Sequence, residues 1–144
     1  MARKKLWVGA LAALGLLGLA LAQDGAELYS QYCSSCHQPT GLGVPGAFPS
    51  LKGLDQLAKT DEGRVYLIRA VLFGLQGPLK VGSATYNGLM PGFSQQLSDA
   101  QVAALLNHLL SSFGNKNPRP ITPEEVKKVR ANPLKPQDVA KSRP

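Results

Sequence analysis

Hydrophobic positions recur at helical spacing in two segments of the chain. The first, Asp61–Phe73, is followed by Gly74, a common helix stop, and the pattern predicts a helix over this range. The second covers residues 98–113 and begins with Ser98 and Gln101 in the arrangement of a capping box. The pattern therefore predicts two amphipathic helices.

Shorter segments around these helices have weaker patterns. Asp24 can cap a first helix that runs through Leu28 to Tyr32. Residues 38–49 read QPTGLGVPGAFP, which is too rich in glycine and proline for regular structure and predicts a loop. We expect a short strand or hairpin between Leu79 and Tyr86.

The chain ends in a polar extension, residues 114–144. Thr122, Pro123 and Glu125 predict a short helix, because they form a capping box with proline at the first helical position. Residues 137–141 predict another helical turn. The pattern leaves open whether this extension is draped over the domain or loosely attached.

The N-terminus has the organisation of a secretory signal peptide. Arg3, Lys4 and Lys5 precede an apolar run over residues 6–21, and an A-x-A arrangement ends at Ala22. We expect cleavage after Ala22, which exports a soluble domain to the periplasm or the outer face of the cytoplasmic membrane. The alternative is an uncleaved anchor that holds the domain at that face.

The charge of the chain lies mainly in the extension. Sixteen basic and nine acidic residues give a formal net charge of +7. Loss of Arg3, Lys4 and Lys5 with the signal leaves thirteen basic residues against nine acidic ones, a net charge of +4. Export and the lack of aromatic residues interleaved with the basic ones argue against nucleic acid as a partner.

The segment YCSSCHQP contains both cysteines and one of the two histidines. A disulfide between Cys33 and Cys36 would close so small a loop that it would stabilise little. A thioredoxin-like pair requires a βαβ unit that the pattern does not show, and a zinc site requires four ligands, for which only His108 remains. The C-x-x-C-H spacing favours covalent attachment of one haem c, with His37 as an iron ligand.

Two residues can supply the second iron ligand. Met90 is the only methionine that remains after Met1 is removed, and it lies in YNGLMPGF, which we expect to be a loop close to the flat ring. A thioether ligand raises the reduction potential. The alternative is bis-histidine ligation by His37 and His108, although a histidine in the middle of a helix is more often satisfied by local packing.

With these motifs, residues 24–113 resemble the class I cytochromes c, in particular the small exported monohaem cytochromes c of thermophilic bacteria that donate electrons to a terminal oxidase. The segments that carry the resemblance are GVPGAFP, YLI, GLQG, YNG, LNH and, in the tail, TPEEVKK. The resemblance implies an all-α fold of helices around one covalently bound haem, with a short β-hairpin and a C-terminal extension. The domains are then a signal peptide (1–22), a cytochrome c domain (23–113) and a basic extension with a short helix (114–144).

The resemblance also implies roles for individual residues. The carbonyl of Pro49 accepts a hydrogen bond from the second ring nitrogen of His37, and Leu51 is a pocket leucine beside that histidine. The residues implied to pack where the first helix meets the last are Gly25, Tyr29, Leu105 and His108. The apolar residues expected to line the haem pocket are Leu28, Phe48, Leu51, Tyr66, Ile68, Phe93 and Leu105.

An iron ligated by His37 and Met90 has no open coordination position, so we expect a carrier of single electrons and not an enzyme. The resemblance implies a monomer that accepts electrons from a quinol-oxidising complex and donates them to a terminal cytochrome oxidase. The alternatives are the haem c subunit of an exported dehydrogenase, a peroxidase-like enzyme and a gas sensor. The last two require an open or labile iron site.

Both predicted ligand loops lack charged side chains, over residues 38–51 and 81–98. We therefore expect an uncharged docking patch at the haem edge, with association that depends only weakly on salt. The alternative is that the composition merely reflects burial and glycine content. The residues expected in this patch are Val44, Pro45, Ala47, Phe48, Met90, Pro91 and Phe93.

Overall fold

The computed structural model of the protein describes residues 24–116 and 119–144, and the predicted signal peptide lies outside these ranges. No helix in the described part of the chain is long and apolar enough to cross a membrane. The elements follow in the order α1 (Gly25–Tyr32), α2 (Ser34–His37), α3 (Leu54–Leu57), α4 (Asp61–Phe73), β1 (Leu75–Val81), β2 (Ala84–Met90), α5 (Asp99–Ser111), α6 (Pro123–Arg130) and α7 (Pro136–Lys141). The expected helical fold with one short hairpin is confirmed.

Helices α1 and α5 cross in close contact because residue 25 is glycine. A Cβ atom at Gly25 would lie 2.3 Å from the carbonyl oxygen of Ala104 and 2.8 Å from the Cβ of His108. The N-cap Asp24 accepts a hydrogen bond from the amide of Ala26, as the sequence predicts. This crossing places the end of α1, and with it Cys33, beside the core.

Helix α4 has the predicted bounds. The Thr60 hydroxyl accepts a hydrogen bond from the Gly63 amide at its start, and Gly74 ends it with a φ of +79°. Together with α1 and α5 it supplies most of the core. The largest fully buried side chains are Leu28, Ile68, Leu72, Leu105, Leu106, Leu110, Val102, Val126 and Val139.

The hairpin is longer than expected, with Leu75 opposite Met90 at its open end and Val81 opposite Ala84 at its turn. The prediction of a short element between Leu79 and Tyr86 covers only its central part. The expectation that Met90 lies in a loop is wrong, because this residue ends β2. Glycine and proline usually interrupt strands, but a two-stranded hairpin has two edges, on which such residues are tolerated.

The C-terminal extension is packed against the domain. Helix α6 contacts α4 and α5, and helix α7 contacts β1 and α4. Val126 of α6 and Val139 of α7 are fully buried, and Ile121 is nearly so. The structure therefore decides the question that the sequence left open, since the tail contributes side chains to the core.

A buried arginine fixes the start of the tail. The Nε and Nη2 atoms of Arg64 donate to the two carboxylate oxygens of Glu125 at 2.9 and 2.8 Å. The same guanidinium donates to the carbonyl oxygens of Arg119 and Pro120 at 2.7 and 2.9 Å. Burial raises the pKa of Glu125, but the Thr122 amide and Arg64 outweigh it, so the pKa lies below its ordinary value.

We expect Val126→Ala to lower the free energy of unfolding by about 2 kcal/mol, because the missing methyl groups leave a cavity under α6. The control is Lys128→Ala on the exposed side of the same helix, which should cost less than about 0.5 kcal/mol. Urea unfolding of the haem-loaded protein followed by circular dichroism measures both. Equal, small effects would mean that the tail is not part of the cooperative core.

Candidate haem site

The cysteine motif lies in the short helix α2 at the end of α1. The amides of Cys36 and His37 donate to the carbonyl oxygen of Cys33 at 3.2 and 2.9 Å, which winds the motif into one turn. Cys33 and His37 are buried, Cys36 is partly exposed, and both cysteines are free. The turn therefore holds two thiols and one imidazole close together.

The structure does not favour the other chemistries of this motif. Burial, followed by the neighbouring Cys36, raises the pKa of the Cys33 thiol to about 11. Thiol–disulfide exchange sites instead lower the pKa of the attacking thiol. Within the described residues, no group of three His, Cys, Asp or Glu side chains is placed to hold a metal ion, so a zinc site is not supported.

The imidazole of His37 has a fixed orientation. Its Nδ1 atom lies 2.9 Å from the carbonyl oxygen of Pro49 and donates a hydrogen bond to it, which leaves Nε2 as the ligating nitrogen. The Gly43 amide donates to the carbonyl of His37 at 2.9 Å. Burial lowers the pKa of His37 more than the Pro49 hydrogen bond raises it, so the ring is held in the neutral form that ligates metal.

Two adjoining cavities lie beside this imidazole. The larger has a volume of about 270 Å³ and is lined by Cys33, Cys36, His37, Pro49 and Met90. The smaller, of about 100 Å³, shares four of these residues, lacks Cys36 and adds Leu51. Each of the six predicted site residues therefore lines at least one of these adjoining cavities. Two thiols, a nitrogen donor and a thioether around an apolar slot fit a covalently attached haem.

The end of β2 holds Met90 in place. A Cβ atom at Gly74 would lie 2.3 Å from the carbonyl oxygen of Met90. Beyond the strand, the amides of Phe93 and Ser94 donate to the carbonyls of Val71 and Leu72 at the end of α4, at 2.9 and 3.0 Å. The thioether is thus carried by backbone that is bound to the core on both sides.

The predicted lining is partly wrong. Phe48, Leu51, Tyr66 and Phe93 line a cavity as expected. The three predicted residues that are buried in the core but line neither cavity are Leu28, Ile68 and Leu105. Tyr32, Leu67 and Leu106 line a cavity instead. Successive residues of a helix point in different directions, so two neighbours can both be buried while only one faces the cavity.

Hairpin residues on one face also line the space, and the sequence analysis missed them. Leu75 and Leu79 of β1 and Tyr86 and Met90 of β2 all line the larger cavity. Their spacing of four residues on each strand is the signal, since alternate residues of a strand face the same side. Apolar or aromatic helical residues that were also missed include Tyr32, Leu54, Leu67, Ala70, Val71, Leu106 and Leu109.

His108 lies in the crossing of α1 and α5 and lines neither cavity. Its ring centroid is 5.7 Å from that of Tyr29 and 5.9 Å from that of Phe113. Its Nδ1 atom lies 3.4 Å from the Ser112 hydroxyl. This placement supports the packing role of His108 and argues against bis-histidine ligation.

Known proteins match the chain over most of its length. The cytochrome c family model matches residues 22–113. Cytochrome c-552 of Thermus thermophilus is 48% identical over 139 residues, which cover 92% of this chain and 93% of that protein. Another cytochrome c-552 sequence from Thermus thermophilus is 46% identical over 125 residues, 83% of this chain and 94% of that protein.

A more distant match covers only a small part of the related protein. The fructose dehydrogenase cytochrome subunit of Gluconobacter japonicus is 36% identical over 122 residues. This covers 78% of the chain but only 23% of that subunit. The similarity is therefore to one part of a much longer protein.

We expect Gly43→Ala to raise the reduction potential of the haem. A Cβ atom at Gly43 would lie 2.2 Å from the Phe48 oxygen and 2.6 Å from the Pro49 oxygen, so it displaces the acceptor of the His37 hydrogen bond. A weaker hydrogen bond makes the imidazole a poorer donor to ferric iron. Redox titration of the purified protein measures the change.

Gly46→Ala is the matched control. Gly46 has a φ of +79°, close to the +66° of Gly43, but a Cβ atom at Gly46 would have no other atom within 4 Å. The substitution therefore introduces the backbone strain of about 1–3 kcal/mol without moving Pro49. An equal potential in both variants would show that the carbonyl position does not tune the iron.

Proposed function

Because the chain belongs to the cytochrome c family and binds haem c covalently, we propose that it is an exported monohaem electron carrier between respiratory complexes. The acceptor is a terminal cytochrome oxidase and the donor a quinol-oxidising complex. The observation that carries the proposal is that His37 and Met90 line the same cavity, beside both cysteines.

Each site residue has a separate task in this proposal. Cys33 and Cys36 would hold the haem through two thioether bonds, and His37 and Met90 would supply the protein ligands of its iron. Pro49 orients the imidazole, and Leu51 excludes water beside it. The bound haem supplies an iron that takes up and releases one electron. With His37 and Met90 both bound to it, the iron would have no coordination position left for a substrate.

The surface around the larger cavity suits short-lived docking. The exposed large apolar side chains that line it are Phe48 and Leu89, at 37% and 65%, and Val44, which pairs with Phe48 in an isolated β-bridge, is 38% exposed. Leu42, on the same loop as Val44, is 58% exposed. Charged residues are absent from 38–51 and 81–98. We propose that this surface, together with Pro45, Ala47, Met90, Pro91 and Phe93, contacts both partners of the monomeric carrier.

The N-terminal pattern supports export. Cleavage after Ala22 would leave the cytochrome c domain and its C-terminal extension on the outer side of the cytoplasmic membrane. The mass of the intact exported protein, measured with a pyridine haemochrome spectrum, tests the cleavage site and the presence of one covalent haem together. A retained signal would make the protein a membrane-anchored carrier.

A second candidate function is that of a haem c subunit of an exported dehydrogenase. The observation that favours it is the similarity to cytochrome subunits of fructose and alcohol dehydrogenases, at 36% and 35% identity. The chain covers only 23% and 22% of those subunits, against 93% of cytochrome c-552. This difference favours the carrier.

We expect ferrous wild-type protein not to bind carbon monoxide at neutral pH, and Met90→Ala to bind it stoichiometrically. The substitution opens one axial position and should also abolish the near-infrared band of the bond between sulfur and ferric iron. Leu89→Ala, next to it on β2, is the control and should keep both properties of the wild type. Carbon monoxide binding by the wild type would favour a peroxidase-like enzyme or a gas sensor.

We expect the electron-transfer rate to an isolated terminal oxidase to change only a few-fold between low and physiological ionic strength, since the docking surface carries no charge. Stopped-flow oxidation of the ferrous protein measures the rate. Leu89→Ser should slow transfer at all salt concentrations, whereas Lys128→Ser on α6 should not. A fall of orders of magnitude with salt would contradict an apolar docking surface.

A further inference from the structure

The smaller cavity has a cationic end. Among the described residues that line the two cavities, the only side chains with a permanent charge are Lys52 and Arg143. Both line the smaller cavity, together with Ser50 and Tyr66, and neither lines the larger one. The larger cavity, which contains both cysteines, therefore has no side chain with a permanent charge, and the positive charge belongs to the smaller one.

Arg143 reaches this end because the tail is packed. Val139 and Ala140 of α7 are buried, with 0% and 7% of their surface exposed. Their burial anchors the residues that follow. The guanidinium carbon of Arg143 lies 5.5 Å from the ring centroid of Tyr66, over the face of the ring. Tyr66 belongs to α4 and is buried, so Arg143, which is itself half-buried, packs against the core.

The backbone around Lys52 is held by the buried side-chain amide of Asn115, a residue distant in the sequence. The Nδ2 atom of Asn115 donates to the carbonyl oxygen of Leu51 at 2.9 Å, and its Oδ1 atom accepts from the Gly53 amide at 2.6 Å. These two bonds fix the backbone on either side of Lys52. The lysine thus starts from a defined point on the rim of the cavity.

Neither cation forms an ion pair with a carboxylate of the described residues. In 24–116 and 119–144, the carboxylates that form ion pairs are those of Asp61, Asp99 and Glu125, and they pair with other arginines. A haem carries two carboxylates on one edge, and burying them requires cations or hydrogen-bond donors. The cationic end and the carboxylate edge are complementary.

We propose that Arg143 and Lys52 bind the two carboxylates of the haem, so that the C-terminal tail completes the cofactor site. This inference rests on the haem site proposed above and adds to it. The two cations set the orientation of the haem edge opposite the cysteines. Their positive charge also stabilises the ferrous state, which has one positive charge less than the ferric state, and so raises the reduction potential.

The test is a redox titration of the haem-loaded protein. Arg143→Gln should lower the ratio of ferrous to ferric protein, at equilibrium with a fixed redox buffer, on the order of tenfold. Arg143→Lys keeps the charge and should recover most of the loss. Lys52→Gln should lower the ratio by a smaller factor, since Lys52 is exposed to solvent. Lys141→Gln, on α7 but outside the cavities, should leave the ratio unchanged.

Arg143→Lys separates charge from the other contacts of the guanidinium, because it keeps a positive charge at this position. If Arg143→Lys lowers the ratio as much as Arg143→Gln does, or if neither Arg143→Gln nor Lys52→Gln changes it, the proposal is wrong and Arg143 only packs on Tyr66. Lys52→Gln decides the question if the Arg143 variants fail to fold. A pyridine haemochrome assay of the wild type is done first, since a lack of covalent haem would contradict the proposed function instead.

Discussion

The hydrogen bond from His37 to the carbonyl of Pro49 is the contact on which the site depends. It joins the cysteine motif to the far end of a loop that has almost no regular structure, and it determines which ring nitrogen faces the cavity. The loop can reach that position because Gly43 allows the backbone to pass within van der Waals contact of Phe48 and Pro49. An irregular segment thereby acquires a single conformation.

The end of β2, which carries Met90, is held in a different way. Met90 ends β2 and pairs with Leu75, the first residue of β1. Gly74, which lies between α4 and β1, is in close contact with the Met90 carbonyl oxygen. The following residues are bonded back to α4. Helix α4 and the hairpin therefore hold the Met90 thioether at the cavity, so its position is set by the backbone around it.

The C-terminal extension packs against the helices and the hairpin of the domain. Its helices cover α4, α5 and β1, and the buried Arg64 closes its start with four hydrogen bonds. Such an arginine is costly to bury unless every donor has an acceptor, so the tail and α4 stabilise each other only as a unit. Some charged residues of the C-terminal extension therefore have structural roles, as Glu125 does in binding Arg64. Arg143 lines the smaller cavity.

The sequence alone determined the cysteine motif, the bounds of α4 and the caps of α1, α5 and α6, because each depends on local chemistry within a few residues. It could not assign Ile68 and Leu105 to the core or Leu67 and Leu106 to the cavity, since that choice depends on how the helices cross. The full hairpin and the packing of the tail were likewise decided by tertiary structure. Their stabilising contacts, such as Leu75 with Met90 and Arg64 with Glu125, join residues far apart in the chain, and no local pattern encodes such pairs.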